Sequence, residues 1–135
     1  MPKILIVHLT DMHLDVGDNG VSKRSEQIAA AMQTHFPAAS MILLALTGDI
    51  TQSGQADQFL VAERFVSDLV ASIRDRSGMD AVVLAVPGNH DANFGDTTVP
   101  VRTALLKQLQ TDGVEKIDPE VLGHCVRVFE NFEAF

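Results

Sequence analysis

Ala81-Val82-Val83-Leu84-Ala85-Val86-Pro87-Gly88-Asn89-His90-Asp91 carries an apolar run directly into a polar turn. Two other stretches repeat that arrangement. Lys3-Ile4-Leu5-Ile6-Val7 leads to Asp11-Met12-His13, and Met41-Ile42-Leu43-Leu44-Ala45-Leu46 leads to Gly48-Asp49. The runs, near residues 3–9, 40–47 and 80–86, are rich in Val, Ile and Leu and do not alternate with polar residues. That pattern predicts strands covered on both faces, as in a parallel sheet. The polar clusters then fall at the carboxyl ends of the strands, where open α/β sheets form their ligand sites. Hard oxygen donors and imidazoles gathered there suit a metal-assisted hydrolase.

Two helical stretches separate the strands. The first is expected from Ser22 to His35, with Ile28, Ala31, Met32 and Phe36 along one side. The second is expected from Gln55 to Arg76, where Phe59, Ala62, Phe65, Val66, Leu69, Val70 and Ile73 follow helical spacing. Ser53 is the expected N-cap and Gly78 the expected stop. The order β-α-β-α-β requires right-handed crossovers and makes both helices covers for the sheet. The fold class is therefore α/β, a mostly parallel sheet with covering helices. Beyond Pro87 a polar loop reaches about Thr98, then a helix runs from Val101 to Leu109 and a turn falls at Asp112-Gly113. A last helix starts at Asp118-Pro119, a good N-cap and first-turn pair, with Leu122, Cys125, Val126, Phe129 and Phe132 as one stripe.

A chain of 135 residues makes one domain, residues 1–135. Its net charge of −8 argues against strong nucleic-acid binding, which needs a basic patch. Bound divalent cations would offset that charge locally, so phosphate-bearing substrates stay admissible. With Cys125 as the single cysteine, no intrachain disulfide can form, and the thiol reads as a buried packing group. No stretch is long enough to span a bilayer, and the amino-terminal run is too short for a signal peptide; the expected location is cytoplasmic. Phe129, Phe132 and Phe135 form an apolar ending that suggests a domain truncated on its carboxyl-terminal side.

In Asp11-Met12-His13 an extended backbone would point the carboxylate and imidazole to one side and Met12 into the core. Such a pair suits Mn, Fe, Zn or Ni better than calcium. Taken alone, Asp11 as a turn cap and His13 as a surface residue is the commoner outcome. Gly48 lets the backbone turn sharply or approach another group, and the Asp49 carboxylate has two oxygens, enough to bridge two ions. A plain Gly-Asp turn is again commoner in isolation. Gly88-Asn89-His90-Asp91 is more specific. Asn89 offers a neutral oxygen ligand, and His90 can act as a general acid or stabilise a phosphorane-like transition state. Asp91 either orients that imidazole or holds the loop.

His8-Leu9-Thr10-Asp11-Met12-His13, Thr47-Gly48-Asp49-Ile50-Thr51 and Pro87-Gly88-Asn89-His90-Asp91 together resemble the calcineurin-like metallophosphoesterase superfamily over about the first hundred residues. The resemblance implies the first half of a four-layer α-β-β-α fold and a site for two divalent or mixed-valence transition metal ions. Carried over, Asp11 and His13 hold the first ion, Asp49 bridges both, Asn89 binds the second, and His90 is the catalytic residue. Gly48, Gly88, Asp91 and His8 then lie just outside the ligands or against the substrate. The family's protein phosphatases carry Asp-Arg-Gly after the bridging Asp. Here Asp49-Ile50-Thr51-Gln52-Ser53-Gly54 stands instead, which resembles the phosphodiesterase-like branch.

The family completes its site with downstream histidines, a single His and then Gly-His-x-His. Here Gly123-His124 is followed by Cys125-Val126, and His124 reads as a packing or surface residue. His35 is most simply a helix C-terminal residue. With three donors left for the first ion and two for the second, the isolated chain is expected to bind metal and to hydrolyse phosphoesters weakly or not at all. The expected partner is a phosphoester substrate, with no membrane and with self-association through the third-strand edge and the Phe-rich ending. The alternative is a non-catalytic metal-binding or protein-interaction domain derived from the same fold. A Rossmann-like nucleotide binder is a poor reading, because no Gly-x-Gly-x-x-Gly follows the first strand.

Overall fold

The computed structural model describes residues 2–17, 19–95, 99–112 and 118–135. Its elements are β1 (Ile4–Leu9), α1 (Ser25–Ala31), β2 (Met41–Thr47), α2 (Ala56–Ser77), β3 (Ala81–Val86), α3 (Val99–Asp112), α4 (Pro119–Val126) and α5 (Glu130–Ala134). Short 3₁₀ turns sit at Phe36–Ala38 and Arg127–Phe129. The strands form a parallel sheet in the order β1-β2-β3. Ile6 lies beside Leu43 and Leu43 beside Val82, so the expected strands and the α/β class are both found.

The packing differs from the expectation in one respect. Among the described residues only one face of the sheet is covered. Ile42, Leu44 and Leu46 of β2 are fully buried, with Val7 beside them. On the opposite face Ile4 and Ile6 are 59% and 61% exposed, and Leu84 and Val86 are 57% and 54% exposed. The connections explain this. In a sheet that runs 1-2-3 without reversing, two right-handed crossovers deliver both helices to the same side. α1 and α2 accordingly pack on each other and on that one face. Apolar runs without alternation therefore did not mean two covered faces here.

α2 follows its sequence closely. Phe59, Ala62, Phe65, Leu69 and Ile73 are buried along its length, and Gly78 ends it. Its start is shifted. Gln55, not Ser53, is the N-cap, and it forms a reciprocal capping box with Gln58. Ser53 still serves that end, because its N–H and its hydroxyl both donate to Gln58 Oε1 (2.9 and 3.2 Å). α1 is shorter than expected, ending at Ala31 with Met32 as its cap. The chain then tightens into the 3₁₀ turn, which carries Pro37 near its start. His35 thus lies beyond the helix, exposed at the head of that turn rather than at a helix C-terminus.

α3 begins earlier than expected, with Pro100 in its first turn. The loop residues 96–98 and Gly113 of the expected turn lie outside the described residues. Asp118 caps α4 as expected, accepting the Glu120 N–H at 2.8 Å. The single apolar stripe is not found. A 3₁₀ turn interrupts it, so Leu122 and Val126 are 49% and 41% exposed while Val128 is buried. Cys125 is a free, half-buried thiol. The Phe-rich ending folds back: Phe132 and Phe135 stand 6.2 and 5.5 Å from the Phe59 ring of α2 and join the core. No described helix is long and apolar enough to cross a membrane.

The one-sided sheet makes a paired prediction. Leu44→Ala should cost about 2–5 kcal/mol of unfolding free energy, as for other buried leucines. Ile6→Ala, on the same sheet but the open face, should cost less than about 1 kcal/mol. Urea unfolding of both variants checks this, and equal costs would contradict it.

Candidate metal centre

The β1–β2 pairing does not stop where the strands end. The Asp11 N–H donates to Gly48 O (3.2 Å), the His13 N–H to Asp49 O (3.0 Å) and the Leu14 N–H to Ile50 O (2.9 Å). An isolated parallel bridge joins Leu14 to Thr51. These bonds hold the two loops side by side and impose an unusual backbone. Asp11, His13 and Asp49 all have positive φ (53°, 46° and 50°), and among the described residues no other non-glycine does. Left-handed backbone at such residues costs on the order of 1–3 kcal/mol each and concentrates at functional sites.

That backbone corrects the sequence reading of Asp11-Met12-His13. The segment is not extended, and its side chains converge through left-handed turns rather than strand alternation. Met12 is buried as expected. Ligand atoms of Asp11, His13 and Asp49 all come within 4.8 Å of one another. Among the described residues no Lys or Arg pairs with either carboxylate. His13 Nδ1 is buried without a hydrogen-bond partner, a state that costs about 1–3 kcal/mol when left unrelieved. Two uncompensated carboxylates and an imidazole with an orphaned nitrogen fit a divalent transition-metal ion.

The third cluster locks onto this pair of loops through Asp91. Its carboxylate is fully buried and accepts from the N–H groups of Ile50 (3.1 Å), Thr51 (2.7 Å) and Gly88 (2.8 Å) and from the Thr51 hydroxyl (3.0 Å). Charge-assisted bonds of this kind offset the desolvation of a buried carboxylate. Asp91 thus holds the loop, while the His90 ring bonds the Gln52 carbonyl. Gly88 lies so close to Asp49 that an added Cβ would stand 2.2 Å from Oδ1, and the His90 N–H donates to that same oxygen (3.0 Å). Gly54, at φ +67°, packs as tightly under residues 91–93: a Cβ there would meet Ala92 C at 2.5 Å.

Comparison with protein families matches residues 4–133 to the calcineurin-like phosphoesterase model. The chain belongs to the calcineurin-like phosphoesterase family. Comparison with curated proteins and with solved structures gave no match. Membership implies a metal-dependent hydrolase acting on phosphoesters, and the Asp11, His13 and Asp49 group stands as its candidate metal site.

The other residues expected at the site of this family member are placed by their own contacts. The His90 ring meets the His13 ring edge-on, with centroids 4.6 Å apart. Its Nδ1 lies 2.8 Å from the Gln52 carbonyl. A carbonyl only accepts, so Nδ1 carries a proton and Nε2 is the nitrogen free to give or take one. Asn89 is exposed beside it. Gly48 faces Gly88, its built Cβ 3.2 Å from Gly88 Cα. His8 is exposed on the open sheet face and bonds the Thr47 hydroxyl. His124 is exposed on α4 and is not one of the clustered ligand residues.

Several residues that shape the site escaped the sequence reading. The Thr10 hydroxyl lies 2.6 Å from Asp11 Oδ2 and 3.0 Å from Thr47 O. Buried Gln58 donates from Nε2 to Asp15 (3.0 Å) while its Oε1 accepts from Ser53, which ties the first loop to the second. A hydroxyl next to a proposed ligand was a usable signal for Thr10. Gln58 gave none, since its partner lies 43 residues away.

Two substitutions separate loop geometry from fold. Asp91→Ala should lower stability by about 3 kcal/mol or more, since several buried donors lose a charged acceptor. Gly88→Ala should weaken Mn²⁺ binding by about 10–100-fold, because the new methyl meets both the carboxylate and the backbone nitrogen of Asp49 and must displace that loop. Denaturant unfolding and calorimetric Mn²⁺ titration read the two effects; unchanged Mn²⁺ affinity in Gly88→Ala would refute the second.

Proposed function

We propose that this chain carries the metal site of a phosphodiester hydrolase, with Asp11 and His13 on a first ion, Asp49 shared, and Asn89 on a second. The observation that carries this is the convergence of Asp11, His13 and Asp49 within 4.8 Å on left-handed backbone, with His13 Nδ1 left unpartnered. Divalent ions bound there supply Lewis-acid polarisation of phosphoryl oxygens and a nucleophilic water at neutral pH. Mn, Fe, Zn or Ni all suit the donor set.

The protein's own groups do the rest. Asp91 keeps the Asp49 loop and the His90 loop in fixed register, so little reorganisation is needed when substrate arrives. Gln52 holds the His90 ring by Nδ1, leaving Nε2 to deliver a proton to the departing oxygen. A diester is preferred because it brings one negative charge rather than two. Gln52-Ser53-Gly54 stands where the phosphatase branch has Asp-Arg-Gly, so Ser53 replaces the arginine and offers no cation to a monoester dianion. With only Asp49 and Asn89 for it, the second ion binds more weakly than the first, and turnover by this chain is slow.

A non-catalytic metal-binding or interaction domain is the second reading, and the open apolar sheet face favours it. Calorimetric Mn²⁺ titration combined with hydrolysis of bis-p-nitrophenyl phosphate, with p-nitrophenyl phosphate beside it, tests both. The expected result is Mn²⁺ binding that Asp49→Asn weakens by about a hundredfold, and diester turnover that is slow but lost in that variant. Equal Mn²⁺ binding by wild type and variant would sink the metal site. Metal binding with no turnover of either ester would favour the second reading.

A further inference from the structure

Thr10 stands between β1 and Asp11, and its hydroxyl meets two acceptors at once. Asp11 Oδ2 lies 2.6 Å from Thr10 Oγ1, and the Thr47 carbonyl oxygen lies 3.0 Å from it. Carboxylates and carbonyls only accept, and the hydroxyl has one proton to donate. The shorter contact has the length of a charge-assisted bond to an ionised oxygen, so Asp11 takes the larger share of that proton. The Thr47 carbonyl, at the end of β2, takes the smaller share and pins the hydroxyl from the strand side. Branching at Cβ also restricts the rotation of the Thr10 side chain.

Nothing else supplies this restraint. Asp11 is exposed, so packing does not hold its carboxylate. Its backbone is fixed by a φ of 53° and by the N–H bond to Gly48 O (3.2 Å). Backbone bonds leave the last torsion of an Asp side chain broad, and the carboxylate can turn about it. The hydroxyl closes that freedom. Asp49 is held differently, by the backbone N–H of His90 on Oδ1 (3.0 Å).

The consequence is a donor count. With Oδ2 engaged by the hydroxyl, Asp11 has one oxygen, Oδ1, fully free for an ion. Calcium gathers about six to eight oxygens and often takes both oxygens of a carboxylate. Transition-metal ions accept fewer ligands and gain from an imidazole such as that of His13. A carboxylate kept from chelating therefore penalises calcium more than manganese or zinc. We propose that Thr10 is a positioning residue that confines Asp11 to single-oxygen ligation and so biases the first ion site toward transition metals over calcium. This rests on the proposed metal site and adds ion selectivity to it.

The experiment titrates the 135-residue chain with Mn²⁺ and then displaces the bound Mn²⁺ with Ca²⁺. Wild type is compared with Thr10→Val, which keeps the branched shape, with Thr10→Ala, and with Thr10→Ser, which keeps the hydroxyl. Thr10 is exposed, so urea unfolding midpoints should stay at the wild-type value in all three. Thr10→Val and Thr10→Ala should weaken Mn²⁺ binding by about 10–100-fold, while Thr10→Ser stays within about threefold of wild type. The ratio of Ca²⁺ to Mn²⁺ needed for half displacement should fall at least about tenfold in Thr10→Val and Thr10→Ala. A residue that merely supported the loop would weaken both ions together and leave that ratio unchanged. An unchanged ratio in both variants, or a Thr10→Ser variant as altered as Thr10→Val, overturns the role of Thr10 and leaves the metal site standing. No Mn²⁺ binding by wild type overturns the metal site itself, and the selectivity with it.

Discussion

A buried carboxylate organises this site without standing in it. Asp91 has no access to solvent, and its oxygens gather donors from Ile50, Thr51 and Gly88, which belong to two different strand-to-helix loops. Bulk solvent does not reach the Asp91 carboxylate, so separating the loops would leave its buried partners unpaired and is costly. Everything else follows from the register this sets. Gly88 is pressed against Asp49, the His90 N–H reaches the Asp49 carboxylate, and Gly54 slides under the 91–93 backbone. On the other side, backbone pairing from Asp11, His13 and Leu14 fixes the first loop to the second. The three left-handed residues are held by neighbours on both sides, and their strain is maintained by bonds that the fold makes anyway.

How much of this was legible depends on how local each cause is. The strands were readable because six or seven consecutive apolar residues have few other uses, and α2 because its buried positions recur at helical spacing. Asp118 and Gly78 were readable because capping is decided within a turn. The choice of Asp11, His13 and Asp49 was also readable, from residue type and from position after the strands. Their conformation was not. Nothing in Asp11-Met12-His13 specifies positive φ; it is imposed by carbonyls of residues 48 and 49, nearly forty positions away. The partners of Gln58 and of the His90 ring were hidden for the same reason.

The open sheet face shows a different limit. Ile4, Ile6, Leu84 and Val86 look in sequence like Val7, Leu44 and Leu46, and hydrophobicity alone assigns them the same environment. What separates them is topology: the helices of a 1-2-3 sheet fall on one side. Family membership, shown over residues 4–133, implies metal-dependent phosphoester chemistry, and the clustered ligand atoms of Asp11, His13 and Asp49 supply a candidate metal site for it. The Phe-rich ending is placed by contacts within the chain, where Phe132 and Phe135 pack against Phe59 at the edge of the core.

The account stands or falls on whether the left-handed loops form a ready metal site. Crystals of the chain soaked in Mn²⁺, with anomalous diffraction recorded, test this directly. The account predicts a strong anomalous peak bonded to Asp11, His13 and Asp49, with φ at all three residues still positive. A map with no peak among those side chains, or with a peak reached only after the loops abandon that backbone, would contradict it.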